Sequence, residues 1–332
     1  MANVCGPPLA LLRAAITLRA NFLMATLRFL ASIVVLTLFA APVRAVETAA
    51  YAIADSTTGF ILESSSGAKK LQIGSLTKIA TAMVVFDWAE ASKTDLGQLA
   101  TVPPSAASLG GAQGGVGLQP GDRASLRDLL YAALLQSDNQ AAETLATHVG
   151  RALGGANPVE EFTAQMNALA NRLGMTHTRF LNPHGLDSLE RSLPYSSAED
   201  LTKLTRYAMQ NTAFHFHVAQ KERKISILAA NGEASQYLLR NTNELLGISG
   251  IDGVKTGQTN RAGGCVVISA AKPPLSQTAA DGQVIVTPRR LNVVVLGSGD
   301  RFGIANGLMQ RGWRLYDLWA AAGRPQKWKA PK

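Results

Sequence analysis

Cysteine is almost absent from this 332-residue chain, which contains only Cys5 and Cys265. Cys5 lies in an N-terminal segment that we expect to be removed, so the mature chain keeps one cysteine and no intramolecular disulfide. Neither cysteine has the spacing to other cysteines or to histidines that a metal site requires. We therefore expect no metal and no other cofactor.

Dense runs of positive charge are also missing, although the formal net charge is +9. Nucleic-acid-binding segments concentrate lysine and arginine, whereas here both are spread along the chain. We therefore expect no nucleic-acid partner and interpret the excess charge as a solvated surface, with attraction to an anionic polymer or membrane as the alternative. Internal repeats and heptads are absent as well, and a hydrophobic content of 47% favours a globular protein.

The apolar run near the N-terminus, Phe29–Val43, contains 15 residues and no charge. It is short for a membrane span, which needs about 20 residues. The run follows Arg28 and leads to Val43-Arg44-Ala45, the layout of a signal-peptide cleavage site. We therefore predict an export signal over residues 1–45, with Met24 as an alternative start and an uncleaved anchor as the alternative fate.

Hydrophobic spacing divides the rest of the chain into strands, then helices, then strands. The predicted elements are a hairpin over 50–64, helices over 75–91, 126–136 and 139–149, helices from Pro158 and Ser197, strands over 253–257, 264–270 and 291–296, a helix over 301–322, and loops over 101–121 and 272–283. Segregated runs favour an α+β fold. We predict a five-stranded antiparallel sheet flanked by helices, with a helical lobe over residues 126–220 inserted between its strands. The predicted domain covers 46–322, and a basic tail covers 323–332.

Ser75 and Lys78 form a Ser-x-x-Lys pair at the start of a helix. Residues three apart lie on one helix face, so the lysine amine can take the proton of the serine hydroxyl once its pKa is lowered. The same pattern occurs at Ser66/Lys69, in a polar loop, and at Ser269/Lys272, at a strand end. Of the three, Ser75 follows a glycine and opens a helix that we expect to be amphipathic.

Two further short motifs contain polar residues suited to such chemistry. Ser137-Asp138-Asn139 lies at a junction between helices, where a serine can cap a helix or relay a proton and an asparagine can bind an amide. Lys255-Thr256-Gly257 lies on a predicted strand, and a glycine there indicates a close approach to the backbone. A strand edge of this kind can hydrogen-bond an extended peptide.

Together, and in this order, the three motifs resemble the signature set of penicillin-binding proteins and serine β-lactamases. The resemblance covers about residues 46–322 and is closest to the low-molecular-mass D-alanyl-D-alanine carboxypeptidases of the peptidase S11 family. Residues 73–83, 182–187 and 250–257 look like that family's signatures. It implies a β-lactamase/transpeptidase-like fold.

The resemblance also implies roles for individual residues. Ser75 would attack the bond between two D-alanines of a peptidoglycan stem peptide, and Lys78 would accept its proton. Ser137 and Lys255 would pass a proton to the leaving D-alanine. The remaining predicted site residues bind substrate: Asn139, Thr256 and Gly257 along the peptide, Gln258 through its backbone N–H in an oxyanion hole shared with Ser75, and Arg301 at the terminal carboxylate.

The expected partners are peptidoglycan stem peptides and β-lactam antibiotics, in the periplasm, with peripheral association with the inner membrane as a further expectation. Three alternatives stay open: a D,D-endopeptidase that cleaves peptidoglycan cross-links, a β-lactamase using Glu190 or Glu199, and a non-enzymatic penicillin sensor. Relatives often have Tyr or His where this chain has Gln258, which leaves a backbone role unaffected.

Overall fold

Residues 48–109, 115–187, 193–278 and 281–328 are described by a computed structural model of the chain. The predicted export signal over residues 1–45 and the last residues of the predicted tail lie outside this part. The strands are β1 (Thr48–Asp55), β2 (Ile61–Ser65), β3 (Leu99–Thr101), β4 (Arg123–Ser125), β5 (Glu222–Leu228), β6 (Ala234–Arg240), β7 (Ile251–Thr259), β8 (Gly263–Thr278) and β9 (Val284–Ser298). The helices are α1 (Lys78–Ser92), α2 (Leu126–Leu135), α3 (Asn139–Ala152), α4 (Pro158–Arg172), α5 (Ala198–Gln210), α6 (Thr212–Val218) and α7 (Arg301–Ala321).

The main sheet has the strand order β2-β1-β9-β8-β7, and every neighbouring pair is antiparallel. Its strands come from both ends of the domain, and helices α1 to α6 come from the chain between β2 and β7. The predicted α+β fold with a five-stranded antiparallel sheet is therefore confirmed. The domain boundaries at residues 45 and 322 stay predictions.

Both faces of the main sheet are covered, because successive strand residues point to opposite sides. On β9, Val294 and Leu296 belong to the hydrophobic cluster that contains helices α1 to α6. Val293 and Val295 belong to a second cluster, with the buried side chains of α7. The sheet is thus a central layer, and β7 forms its edge beside the helical lobe.

Local capping explains where several helices begin. The Ser125 hydroxyl accepts a hydrogen bond from the Asp128 amide at 3.0 Å, and the Ser197 hydroxyl accepts one from the Asp200 amide. Each satisfies an amide that the helix itself leaves unpaired. Both predicted helix starts are therefore confirmed.

The helix beginning near Ser75 differs from the expectation of an amphipathic helix. Ser75 lies in a 3-10 turn, Gly74–Thr77, and the α-helix begins at Lys78. Nine consecutive residues from Lys78 to Phe86 are buried. This helix has no exposed face over its first two turns because helices α2 to α6 pack around it.

A second, four-stranded sheet with the order β3-β4-β5-β6 is absent from the prediction. Its longest pair, β5 and β6, turns through Gly232 in a positive-φ conformation. On β5 only Ile225 and Ile227 are buried. The alternation of apolar and polar residues that predicts a strand therefore extends over only two apolar positions. The predicted loop over 101–121 also contains a 3-10 segment, Pro104–Leu109.

The predicted loop over 272–283 is wrong. Strand β8 continues to Thr278 and β9 begins at Val284, so the two strands extend as a ribbon beyond the rest of the sheet. The prolines at 273 and 274 coincide with a register shift between Lys272 and Leu275, which is how a strand accommodates residues that cannot donate a ladder hydrogen bond.

Within the described ranges, none of the helices combines the length and the hydropathy needed to cross a bilayer.

Candidate active site

Lys78 is the centre of the hydrogen-bond network at Ser75. Its side chain is fully buried, and its Nζ lies 2.9 Å from Ser75 Oγ, 2.7 Å from Asn139 Oδ1 and 2.8 Å from the His184 carbonyl oxygen. Two of the predicted motifs, 61 residues apart along the chain, therefore meet at one amine.

The three partners suit a neutral amine. A neutral lysine has two N–H donors and one lone pair, whereas the charged form has three donors and no acceptor. The Asn139 and His184 oxygens can only accept, and Ser75 is the one partner with a proton to donate. Burial lowers the pKa of Lys78 from 10.5 to about 7, although Asp138 opposes this effect. The amine is thus poised to take the Ser75 proton near neutral pH.

The Ser137-Asp138-Asn139 segment forms the sharp junction between α2 and α3. Ser137 has a φ of 65°, a conformation that non-glycine residues rarely adopt. The helix cap is Asp138 and not Ser137, because the Asp138 carboxylate accepts hydrogen bonds from the Ala141 and Val116 amides. Ser137 therefore has no capping task and lines the cleft, while the Asn139 side chain contacts Lys78.

Strand β7 brings the third motif against the Ser75 turn. A Cβ built on Gly257 would lie 2.7 Å from the Ile73 carbonyl oxygen and 3.2 Å from the Ser75 amide nitrogen. Only glycine allows this approach, as the sequence predicts. It also brings the adjoining Gln258 amide close, since a Cβ on Gly74 would lie 3.2 Å from that nitrogen.

Lys255 and Thr256 precede Gly257 on β7, and both are buried. Lys255 is buried, and its Nζ donates to the Thr256 carbonyl oxygen at 3.0 Å. Burial, together with the charges of Lys78 and Arg301, holds the pKa of Lys255 well below its usual range. The Thr256 hydroxyl is fixed by the Thr242 hydroxyl at 2.7 Å.

Arg301 begins the last helix and reaches the end of the same strand. Its Nη1 donates to the Gly257 carbonyl oxygen at 2.9 Å and to Gln258 Oε1 at 3.2 Å. Burial lowers the pKa of Arg301, but the guanidinium stays charged at neutral pH. Both oxygens that it contacts are uncharged, so its charge is available to an anionic ligand.

The loop at residues 182–187 forms the floor behind Lys78. The Asn182 side chain accepts from the His184 and Gly185 amides and donates to the Leu186 carbonyl. Gly185 has a φ of 81°, and a Cβ there would collide with the Gly74 carbonyl oxygen. Burial lowers the pKa of His184 to about 3, so its neutral ring accepts from the Leu186 amide at 3.1 Å. The 182–187 signature segment therefore also supplies a partner of Lys78.

A cleft of about 350 Å³ opens above Ser75. The residues that line it are Ser75, Ser137, Asn139, Leu186, Asp187, Gln258, Thr259 and Asn260. Three predicted residues besides Ser75 line this opening, namely Ser137, Asn139 and Gln258. Lys78 reaches it through its contact with Ser75, whereas Lys255, Thr256, Gly257 and Arg301 are not among the lining residues. Leu186, Asp187, Thr259 and Asn260 are missing from the predicted site residues, although the first two end the 182–187 signature and the other two come directly after Gln258.

In the described part of the chain, no group of three or more His, Cys, Asp or Glu side chains could hold a metal ion.

Residues 37–279 match the model of the family described as D-alanyl-D-alanine carboxypeptidase, peptidase S11. The chain is 30% identical to D-alanyl-D-alanine carboxypeptidase DacC of Escherichia coli, over 82% of this chain and 62% of the relative. It is 36% identical to a D-alanyl-D-alanine endopeptidase of Pseudomonas aeruginosa, over 65% of this chain and 64% of the relative. The chain thus spans less than two thirds of the length of these curated relatives.

Among solved structures, the Streptomyces K15 DD-transpeptidase superposes with a TM-score of 0.68 at 28% identity, covering 81% of this chain and 98% of that one. The likeness therefore extends over nearly all of the domain that carries the cleft. Taken with the family match over most of the sequence, it means that this chain belongs to the peptidase S11 family of D-alanyl-D-alanine carboxypeptidases.

Proposed function

We propose that the chain is a serine-type D-Ala-D-Ala carboxypeptidase that removes the terminal D-alanine of peptidoglycan stem pentapeptides through an acyl-enzyme on Ser75. The observation that carries the proposal is the buried Lys78 amine, 2.9 Å from a serine hydroxyl at the base of a cleft. A serine needs an adjacent base to act as a nucleophile, and this lysine has a pKa near 7.

In the acylation step, Ser75 Oγ attacks the carbonyl carbon between the two D-alanines while its proton passes to Lys78. The oxyanion that forms accepts hydrogen bonds from the Ser75 and Gln258 amides, which the close contact of Gly257 with the Ser75 turn holds side by side. Removal of one such donor from a serine hydrolase typically costs a factor of about 10²–10³ in rate.

Collapse of this intermediate breaks the C–N bond and leaves the acyl group on Ser75. The departing D-alanine amine takes a proton through Ser137, which lines the cleft, with Lys255 supporting the relay. Water then attacks the ester carbonyl carbon and loses a proton to Lys78. As the ester C–O bond breaks, Lys78 passes that proton to Ser75 Oγ, and the shortened peptide leaves with a new carboxyl group.

Substrate binding is assigned to the walls of the cleft. The edge strand β7 would pair with the extended peptide at Thr256, Gly257 and the exposed Gln258, and Asn139 would bind a substrate amide. Arg301 would attract the terminal carboxylate, because its charge is not neutralised by the oxygens that it contacts. β-Lactams would acylate Ser75 through the same contacts.

D,D-endopeptidase activity is the second candidate, since a 36%-identical relative bears that name. β-Lactamase activity has less support. Glu199 accepts a hydrogen bond from Ser64 on β2 and is not among the residues that line the cleft, and Glu190 lies outside the described residues. The proposed setting is the periplasm, with peptidoglycan as partner and peripheral association with the inner membrane as an addition.

Purified protein incubated separately with stem pentapeptide and with cross-linked muropeptide dimer separates the two candidates. We expect D-alanine release from the pentapeptide and little cleavage of the dimer. Cleavage of the dimer without release of D-alanine would replace the carboxypeptidase assignment with the endopeptidase one.

A further inference from the structure

The β8–β9 ribbon carries apolar side chains that no core covers. Pairing with β1 ends at Leu291 and pairing with β7 ends at Ala270, so in the described ranges no strand lies against the outer edges of the ribbon. On β9 the side chains of Val284–Val286 are each more than half exposed, and they project alternately to the two faces. Their partners on β8, residues 276–278, are polar. An exposed apolar surface of this kind is typical of an interaction site.

The base of the ribbon is rich in positive charge. There the ribbon meets the last turns of α7 around an open cavity of about 650 Å³. Arg289 and Arg324 line the cavity beside the exposed Leu275, and Lys272 lies on the adjoining part of β8. The acid among the described lining residues is Asp317, which is already paired with Arg289 at 2.8 Å. Three cations thus face one acid directly beside the apolar strand.

The combination of apolar and cationic groups fits a phospholipid surface. A bilayer presents hydrocarbon just below a layer of phosphate groups, so it can cover the ribbon and place anions beside the cavity at the same time. A second copy of the chain would instead bring this positive face against itself, which is unfavourable. An extended apolar peptide could cover the ribbon but would leave the cations without a counterion.

The depth of such a contact is limited by polar groups on the ribbon. Its outer edges present backbone N–H and C=O groups that have no strand partner, and Asp281 is exposed at its tip. Both would be costly in the hydrocarbon core, whereas headgroups and water at the interface can pair them. The ribbon is therefore suited to lie in the interfacial layer and not to cross the bilayer.

We propose that the β8–β9 ribbon and the cationic cavity at its base form a docking surface for a bilayer that contains anionic phospholipids. The inference does not depend on the reaction at Ser75, and it gives the membrane association proposed above a defined surface. Helix α7 runs from Arg301, beside the cleft, to the cavity over 21 residues, a length of about 30 Å. A docked domain therefore holds its cleft about 30 Å from the bilayer.

The test places an environment-sensitive fluorophore on the ribbon of the full chain. Ile285→Cys is labelled with a nitrobenzoxadiazole dye, and Leu238→Cys, at an exposed leucine of β6, is labelled as the matched control. Both variants also carry Cys5→Ser, and Cys265 is buried and stays unlabelled. On addition of phosphatidylcholine vesicles that contain phosphatidylglycerol, we expect a blue shift of the emission at position 285 and none at position 238.

The contribution of charge is tested by Lys272→Gln and Arg324→Gln in the chain labelled at position 285. Each should raise the lipid concentration at half-maximal shift about fivefold, the effect of one cation near an anionic surface, and high salt should raise it as well. Lys224→Gln, at an exposed lysine of β5, should leave it unchanged. All these variants should be acylated by a fluorescent penicillin at the wild-type rate, which checks that each is folded.

Absence of a shift at position 285 with the anionic vesicles would overturn the inference, as would equal shifts at the two labelled positions. A shift that appears with rising protein concentration and no lipid would assign the face to a second copy of the chain, and a shift produced by inorganic phosphate alone would reduce it to an anion site. Absence of acylation in the wild type would overturn the proposed function and leave this inference standing.

Discussion

Substitution of Gly257 by alanine tests whether the approach of β7 to the Ser75 turn builds the oxyanion site. The added Cβ would lie 2.7 Å from the Ile73 carbonyl oxygen, whereas unstrained heavy-atom contacts are about 3.5 Å. The strand or the turn must therefore retreat by roughly 0.5–1 Å. Both opposing atoms belong to backbone, so no flexible side chain can absorb the displacement.

The expected effect on activity is much larger than the effect on stability. Overpacking of this kind costs about 1–3 kcal/mol, which a domain with about 5–15 kcal/mol of stability survives. Misplacement by about 1 Å can lower a rate by about 10²-fold, and the Gln258 amide moves with the strand. We expect the second-order rate of acylation by a fluorescent penicillin to fall about 10²-fold while the far-UV circular dichroism spectrum is unchanged.

Gly307→Ala supplies the control within the same chain. Gly307 lies inside α7, and no atom lies within 4 Å of a Cβ built there. Alanine at this position should stabilise the helix by about 0.5–1 kcal/mol and leave acylation unaltered. Acylation by Gly257→Ala within threefold of the wild-type rate would refute the reasoning, because the contact would then have no part in positioning the site.

Two further predictions concern charge in the cleft. Burial lowers the pKa of Lys78 to about 7, and the neutral amine is the reactive form. The rate of acylation should therefore rise about tenfold per pH unit below pH 7 and level off above it. A rate that is independent of pH between 5 and 8 would contradict this assignment. Arg301→Gln should lower kcat/KM for D-alanine release by about tenfold or more, the range of a lost charge-assisted hydrogen bond. Arg311 pairs with Glu63, so Arg311→Gln serves as the control and should leave kcat/KM unchanged. Equal effects of the two substitutions would refute carboxylate binding by Arg301.

The sequence was sufficient to identify Lys78 and Asn139, the side chains that meet near Ser75, because both are defining residues of the short motifs. It could not identify the His184 carbonyl as a partner of Lys78, since a backbone oxygen has no residue identity. Ser137 was also open to a capping role, and the neighbouring Asp138 takes that role instead. The positive φ of Ser137, which turns it into the cleft, follows from tertiary context.

The fold was predictable to a similar degree. Segregation of strands and helices was enough for the main sheet, where β9 presents a long run of buried residues. The second sheet was missed because β5 and β6 have mostly exposed residues and little alternation. The β8–β9 ribbon was missed because its prolines and glycine are also typical of a loop, whereas the strands continue through a register shift.

The central claim is that one hydroxyl, that of Ser75, becomes acylated. Intact-mass measurement after incubation with benzylpenicillin tests it directly in the wild type, in Ser75→Ala and in Ser66→Ala, a serine of the same Ser-x-x-Lys spacing in an exposed turn. We predict one penicilloyl addition on the wild type and on Ser66→Ala, and none on Ser75→Ala. An adduct on Ser75→Ala, or an unmodified wild type, would contradict the claim.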